Sequence, residues 1–308
     1  MKKLFYLLLV VGIVALIIVP TWTYAIVPSK LVMPEDVNES VTFTGEASVA
    51  NPEDFSQLMG PYELNIERSY MGIGNAGYGD AVILSETVVM EIDNPMIPPE
   101  TRTYLLAVDK RTFEHLDEDG ADWDYARDGQ FTFGPYPEKK DAEFWLHDLN
   151  YTINAKYDRM DSYKGLNVLK LSMNERVQIT KNPELLETYT GLAYYYANSK
   201  LDALYLVENS YIYVDEISGM IVYFERNSKL SGELTHMATG ESSTVIFSEM
   251  LYNYDDETSD ALVNDAKETN NTIAFYETTV PIIIMVIGTL IILTAIALRI
   301  SRIKRDGE

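Results

Sequence analysis

Tyr62-Glu63-Leu64-Asn65-Ile66-Glu67 alternates apolar and polar side chains one by one. Successive side chains of a strand point to opposite faces, so this phase describes a strand with one buried face. Similar stretches surround it: Val41–Thr44, Ala81–Ile92, Arg102–Val108, Phe131–Phe133, Tyr151–Tyr157, Leu166–Met173, Tyr211–Val214, Met220–Phe224 and Val245–Phe247. Val, Ile, Tyr, Phe and Thr dominate them, which suits a pleated, half-buried surface. The 22 tyrosines fit the same reading. Gly, Pro, Asn and Asp punctuate at short intervals, as in antiparallel sheets joined by tight turns. The expected fold is mainly β (α+β), an antiparallel curved-sheet or sandwich-like ectodomain with two helices, flanked by two transmembrane helices.

The two added helices break the alternation. Pro183–Leu204 places Leu185, Leu186, Tyr189, Leu192 and Tyr196 at helical spacing, with Asn182 as cap and Pro183 in the first turn. Asp260–Phe275 reads as a second helix capped by Thr258, Ser259 or Asp260, running into an apolar segment.

That apolar segment, Thr278–Leu298, has no charged residue, and neither has Leu4–Ser29. A bilayer core of about 30 Å needs about 20 apolar residues in a helix, so both are long enough to span. Lys2 and Lys3 precede the first, and Arg299, Arg302, Lys304 and Arg305 follow the second. Basic flanks stay cytoplasmic, so both termini read as inside the cell membrane and the middle as outside. Trp22, Tyr24, Phe275 and Tyr276 fall at the outer ends, where amphipathic rings favour the interface. The run Leu4–Val19 exceeds the usual signal-peptide core of about 7 to 15 residues, which favours an uncleaved anchor; Thr23-Tyr24-Ala25 is the cleavage site of the rival reading. The expected organisation is a cytoplasmic stub (1–3), a first span (4–26), a β-rich external domain (27–256), a membrane-proximal helix (257–277), a second span (278–298) and a basic cytoplasmic tail (299–308).

Of 24 Lys+Arg and 47 Asp+Glu, six basic residues flank the spans and two acids lie in the tail, leaving 18 against 45 between the spans. Such a field repels nucleic acid and anionic headgroups. Nucleic acid is thus not an expected partner; the two spans and the curved sheet make the expected partners the bilayer itself and lipid or envelope components. With no cysteine, the external domain rests on its core alone; its size permits that, and the absence of cystines points to a prokaryote. Asn38, Asn150 and Asn270 open sequons, each a candidate glycan site on an external surface.

Little chemistry stands out. Gly72–Gly77 spells a dinucleotide fingerprint but is followed by a β-like run, where that motif needs a helix N-terminus. Residues 117–124 hold Asp117, Asp119, Asp122 and Asp124, the weak candidate for a metal site, although Gly120 and Ala121 break the calcium-loop order. His115, His147 and His236 have no metal spacing, and no HExxH or GxSxG occurs. The chain is expected to be no enzyme and to need no cofactor. Val108–Leu116 and Val214–Phe224 echo each other as strand, tight turn, strand, with Asp109 and Asp215 each placed to bond the turn backbone.

Several stretches together resemble a family. They are Val27–Leu31 with Met33-Pro34, Thr44–Ala47, the turn after Val108-Asp109, Phe131–Trp145 with its Glu138-Lys139-Lys140, Lys164–Val168, Tyr213–Gly219 and the helix before the last span. The pattern resembles two-span archaeal and actinobacterial membrane proteins of unknown function, sometimes labelled the PorA porin family. Leu146 stands where that family often has aspartate, and the tyrosine after Lys-Lys is missing. The resemblance brings no catalytic residues with it, and Glu138-Lys139-Lys140 reads as a structural turn beside Phe144 and Trp145. The porin label implies a pore. The β segments lack the evenly spaced, lipid-facing strands of an outer-membrane barrel, and the spans lack mid-membrane charge. Three functions stay open: a binding or envelope-organising module for lipid or a hydrophobic ligand, a pore-forming oligomer, and an extracytoplasmic hydrolase.

Overall fold

The alternation at Tyr62–Glu67 runs on through a strand of 17 residues, Leu58–Gly74, in which Leu64, Ile66 and Arg68 are buried and Asn65 and Glu67 exposed. In the computed structural model, residues 2–74, 80–116, 127–146, 149 and 151–306 are described. They divide into a helical unit, Met1–Val32 with Lys267–Glu308, and a β unit, Met33–Ala266.

The β unit holds ten strands: β1 (Asn38–Ala50), β2 (Leu58–Gly74), β3 (Ala81–Ile92), β4 (Glu100–Asp109), β5 (Ala142–Leu146), β6 (Tyr151–Tyr163), β7 (Leu166–Gln178), β8 (Ser199–Asp215), β9 (Ile221–His236) and β10 (Ser242–Tyr254). They form one sheet in the order β4-β3-β2-β1-β10-β9-β8-β7-β6-β5, every pair antiparallel. The sheet curls into a half-barrel. The connection from β4 to β5 runs from one edge to the other, and isolated bridges Val108↔His115, Glu114↔Gln130 and Gln130↔Phe144 link the two edge strands through it. Backbone bonds from His115 N–H to Gly129 O (2.9 Å) and from Gln130 N–H to Glu143 O (2.7 Å) carry the same link.

The core lies on the inner face. Phe43 from β1 meets Phe224, Tyr252 and Tyr254 at ring separations of 5.9, 5.4 and 4.7 Å, and Leu169, Leu171, Met173, Leu204, Leu206, Ile212 and Val214 continue the buried row. Each such side chain contributes roughly 1.5–3 kcal/mol by burial. At the central seam Gly45 pairs with Tyr252. A Cβ on Gly45 would lie 2.1 Å from the Leu251 carbonyl oxygen, so only glycine lets β1 and β10 approach this closely.

Several expectations change. Phe131–Phe133 is no strand: only Gln130 bridges there, and Pro135 and Pro137, which lack an N–H, follow. The edge strand β5 went unread because five residues carry little periodic signal. The first helix, α2 (Pro183–Ala197), stops seven residues early. Asn198 takes a left-handed conformation (φ 47°) that ends it, and residues 199–204 open β8. Asn182 caps it as expected, accepting from Leu185 N–H at 2.9 Å. Helix α3 (Asp256–Ala274) starts earlier than read, with Asp255 accepting from Thr258 N–H at 2.7 Å in place of the three expected caps.

The helical unit contains α1 (Lys2–Thr21) and α4 (Val280–Asp306), both long and apolar enough to cross a membrane. Each adjoins a π-helical turn, Trp22–Ile26 and Phe275–Thr279. Pro20 and Pro281, which cannot complete an α-helical ladder, lie beside them. Trp22 Nε1–H donates to the Tyr276 carbonyl oxygen at 2.9 Å. Gly12 and Gly288 let the two helices touch: a Cβ on Gly12 would meet the Ile292 side chain at 2.5 Å.

Candidate functional site

On the inner face of the half-barrel, buried charge and empty space coincide. Phase puts the charge there. On β8 the buried set is Leu204, Leu206, Glu208, Ser210, Ile212 and Val214; on β9 it includes Phe224, Arg226, Ser228 and Leu230. Glu208 is 0% and Arg226 3% exposed. Arg226 Nε–H donates to Glu208 Oε1 at 3.1 Å, and one terminal nitrogen donates to Tyr252 Oη at 2.9 Å. Ser210 Oγ–H also donates to Glu208. Two opposite charges out of water persist only with such complete pairing, since each costs several kcal/mol to desolvate.

A second buried group stands across the seam. Arg68 on β2 lies 5.2 Å over the Phe43 ring. Glu86 on β3 is fully buried between its register partners Tyr70 and Tyr104. Arg127, from the β4–β5 connection, lies 5.2 Å over Tyr104 and 5.6 Å over Trp145. Burial pulls the Arg127 guanidinium below its ordinary range, and Glu86 opposes that pull. Burial, then the Glu86 charge, holds the Tyr70 phenol well above its ordinary value. Burial also pushes Tyr254 up to about 12.

Three cavities follow one another along this face. The first, about 140 Å³, lies under α2 and is lined by Val88, Met90, Leu185, Tyr189, Leu206 and Leu230, with Glu100, Arg102, Arg226, Ser228 and Ser248 as polar wall. The second, about 40 Å³, shares Arg226 with the first and adds Arg68, Phe43 and Trp145. The third, about 170 Å³, shares Val41, Tyr70, Phe131, Ile221 and Tyr254 with the second and reaches Met33 and Leu262. A 150 Å³ apolar cavity holds a benzene-sized ligand. Each chamber alone is therefore small, while the series together reaches the lower end of ordinary ligand pockets, about 300 Å³.

Two of the stretches that carry the family resemblance, Phe131–Trp145 and Tyr213–Gly219, come together at one end of the β unit. Asp215 Oδ2 accepts from Ser218 N–H and Oγ–H at 2.8 Å each. Gly219 takes φ 78°, and a Cβ there would lie 2.1 Å from the Gly134 carbonyl oxygen. Tyr136 N–H donates to Ile217 O at 2.8 Å, and Lys139 pairs with Glu216 at 2.8 Å. Glu138-Lys139-Lys140 is thus part of a docked turn, with Lys140 paired to Glu138 at 2.5 Å. The sequence profile of the family described as Porin PorA matches residues 6–297.

The chain belongs to the Porin PorA family.

No curated protein gives a significant match. Membership of the PorA family, together with the two long apolar helices, points to a membrane location. The two echoing turns of this PorA-family chain share one geometry. Asp109 Oδ1 accepts from Arg111 and Thr112 N–H at 2.7 and 2.8 Å, and Phe113, four residues on, has φ 62° as Gly219 has φ 78°.

The sequence-level site candidates fall elsewhere. Asp117, Asp119, Asp122 and Asp124 lie outside the described residues, as do Asn150 and His147. Asn38 opens β1 and is exposed, while Asn270 in α3 is partly buried. Gly72 sits in β2, the next element among the described residues is β3, and the fingerprint's last residues lie outside the described set. Among the described residues, no group of His, Asp or Glu has metal-holding geometry. Glu208, Arg226, Arg68 and Glu86 were missed, although continuing the phase of Leu64–Ile66 reaches Arg68.

Proposed function

We propose that this PorA-family chain is a membrane-anchored binding module. The β unit lies outside the cytoplasmic membrane, both termini lie inside, and the inner face of the half-barrel holds a hydrophobic or amphipathic molecule of lipid or envelope origin. The observation that carries the reading is the cavity under α2. Its wall is mostly apolar, with polar groups at Glu100, Arg102, Arg226, Ser228 and Ser248. That composition is characteristic of ligand pockets, where apolar lining gives affinity and a few polar groups set orientation. On this reading the domain binds and does not turn its ligand over. The basic flanks of the spans support the orientation.

Mass spectrometry of an organic extract from the full-length protein should find a near-stoichiometric small molecule. Leu206→Trp, which fills the cavity, should lose it. An extract with nothing bound in either protein speaks against the reading. For orientation, protease added to intact spheroplasts should digest the β unit and spare the tails.

The family description favours a second reading, a pore. The two apolar helices would line one only in an oligomer. Sustained conductance of the purified protein in planar bilayers, removed by changes in α4, would establish it in place of the binding module.

A further inference from the structure

The three chambers differ in whether exposed residues reach their walls. The first is lined in part by Glu100 and Arg102, both exposed, and the third by Pro34 and Glu39, also exposed. Among the described residues lining the middle chamber none is exposed, and Phe43, Phe144, Trp145 and Phe224 are all buried. The series is therefore open to its surroundings at both ends and closed between them. Strand β4 marks the separation of the ends. Glu100 opens it, and just past its last residue the Lys110 carbonyl oxygen accepts from Met33 N–H at 2.8 Å, beside the third chamber. The 10 residues of β4 extend about 33 Å.

The two mouths are built from different parts of the chain. The third chamber uses the segments that lead to the apolar helices: Met33 and Pro34 on the way into the β unit, Leu262 of α3 on the way out. Only residues 27–32 lie between the π-helical turn Trp22–Ile26 and Met33, a tether of at most about 25 Å when fully extended. The first chamber lies under α2, by the other end of β4. Between the two the space narrows to about 40 Å³, room for a few water-sized groups. An unbranched alkyl chain fits such a neck in single file, whereas a fused ring system or two chains side by side do not. The Tyr70 and Phe131 rings line both the neck and the third chamber and stand edge-on, 5.3 Å apart. Phe131 belongs to the β4–β5 connection and to no strand, so its ring can turn aside without parting the sheet. A chain that entered under α2 would first have to cross water, at a cost for every methylene.

We propose that the cavity series is a passage with two mouths, through which an unbranched alkyl chain leaves the bilayer by the third chamber, threads the neck past Phe131 and reaches the cavity under α2. The proposal rests on the binding-module reading and adds the shape of the ligand and its route. Apolar walls then replace the bilayer around the chain along its path.

Trp145 lines the neck and serves as a reporter, because bromine quenches tryptophan only near contact. The chain has 3 tryptophans, so Trp22→Phe with Trp123→Phe leaves Trp145 alone in the full-length protein. The probe is 12-bromododecan-1-ol, added to this protein in nanodiscs, where it partitions into the bilayer; quenching is followed in time. The unfilled passage should be quenched. Val37→Phe with Leu262→Phe, which fills the third chamber, should slow quenching at least tenfold. Met90→Phe with Leu206→Phe, which fills the first, should leave its rate within twofold. The reverse pattern shows entry under α2 and overturns the passage while leaving the binding module standing. Slowing by both fillings, or by neither, also overturns the passage. No quenching in the unfilled protein overturns the module itself. If a filled pair fails to fold, Val37→Phe alone and Leu206→Phe alone decide by the same comparison.

Discussion

Glu225 and Arg226 are neighbours on β9 and face opposite sides of the sheet. Glu225 lies on the outer face, where Tyr211 and Tyr223 Oη–H donate to its Oε2 at 3.0 and 3.2 Å in a half-exposed cluster of tyrosine rings. Arg226 lies on the inner face, shielded from water, where it bonds Glu208 and Tyr252. Similar polar networks sit one residue apart. What separates them is whether solvent can replace a lost partner, and this decides what each is worth.

The largest test removes the inner partner. Arg226→Met should destabilise the β unit by about 3–5 kcal/mol, because Glu208 is left charged and buried. The double change Arg226→Met with Glu208→Leu should recover much of that loss. Denaturant unfolding of the full-length protein in detergent, followed by tryptophan fluorescence, measures both. A double change no more stable than the single would mean that Glu208 is not the group left in distress.

A smaller effect belongs to the helix that covers the inner face. Asn182→Ala leaves Leu185 N–H without its acceptor and Leu149 O without its donor. The expected cost is about 1 kcal/mol, with apolar-ligand affinity falling alongside as α2 frays. On the outer face, Glu225→Gln should cost only about 0.5–1 kcal/mol, since water solvates the two phenols. A loss as large as that of Arg226→Met would erase the distinction between the faces.

The finest test uses pH. Tyr254 on the inner face and Tyr223 on the outer are both pushed up to about 12, each chiefly by burial, from an ordinary 10.0. A raised phenol pKa means that the folded protein keeps the proton longer than the unfolded chain does. The stabilisation is complete below pH 10 and is lost as pH rises from 10 towards 12. Tyr254→Phe should flatten this alkaline decline more than Tyr223→Phe, because solvent screens the outer ring. Urea midpoints between pH 9 and 12 show the difference.

Much of this was readable in the chain. The alternation of Tyr62–Glu67 placed β2, and Ala81–Ile92 was read to the residue. Asn182-Pro183 fixed the start of α2. Its end was not readable, because nothing in Asn198-Ser199-Lys200 says that residues 199–204 will find β9 as a partner. The strand expected at Phe131–Phe133 does not form for a related reason: its aromatic residues face the inner cluster, where Phe131 stacks edge-on with Tyr70 and His115, without a ladder. The inner charges were half-legible. Phase alone turns Arg68 and Glu208 inward. That Glu208 meets Arg226 depends on β8–β9 register, in which Glu208 sits opposite Ser228, and register is set by turns and bulges beyond the local sequence.

The seam between β1 and β10 joins the first strand of the sheet to the last. A ribosome delivers β1 long before β10, and Phe43 must wait for Tyr254 to be made. Until then the β1–β4 meander carries an open edge in the middle of its future sheet, the feature most prone to pairing with a stranger. The closing step spans nearly the whole domain, so its rate is governed by the search between distant chain segments. The vulnerable interval is the one between emergence of β4 and arrival of β10. In the orientation proposed above, a holding chaperone on the far side of the membrane would act there.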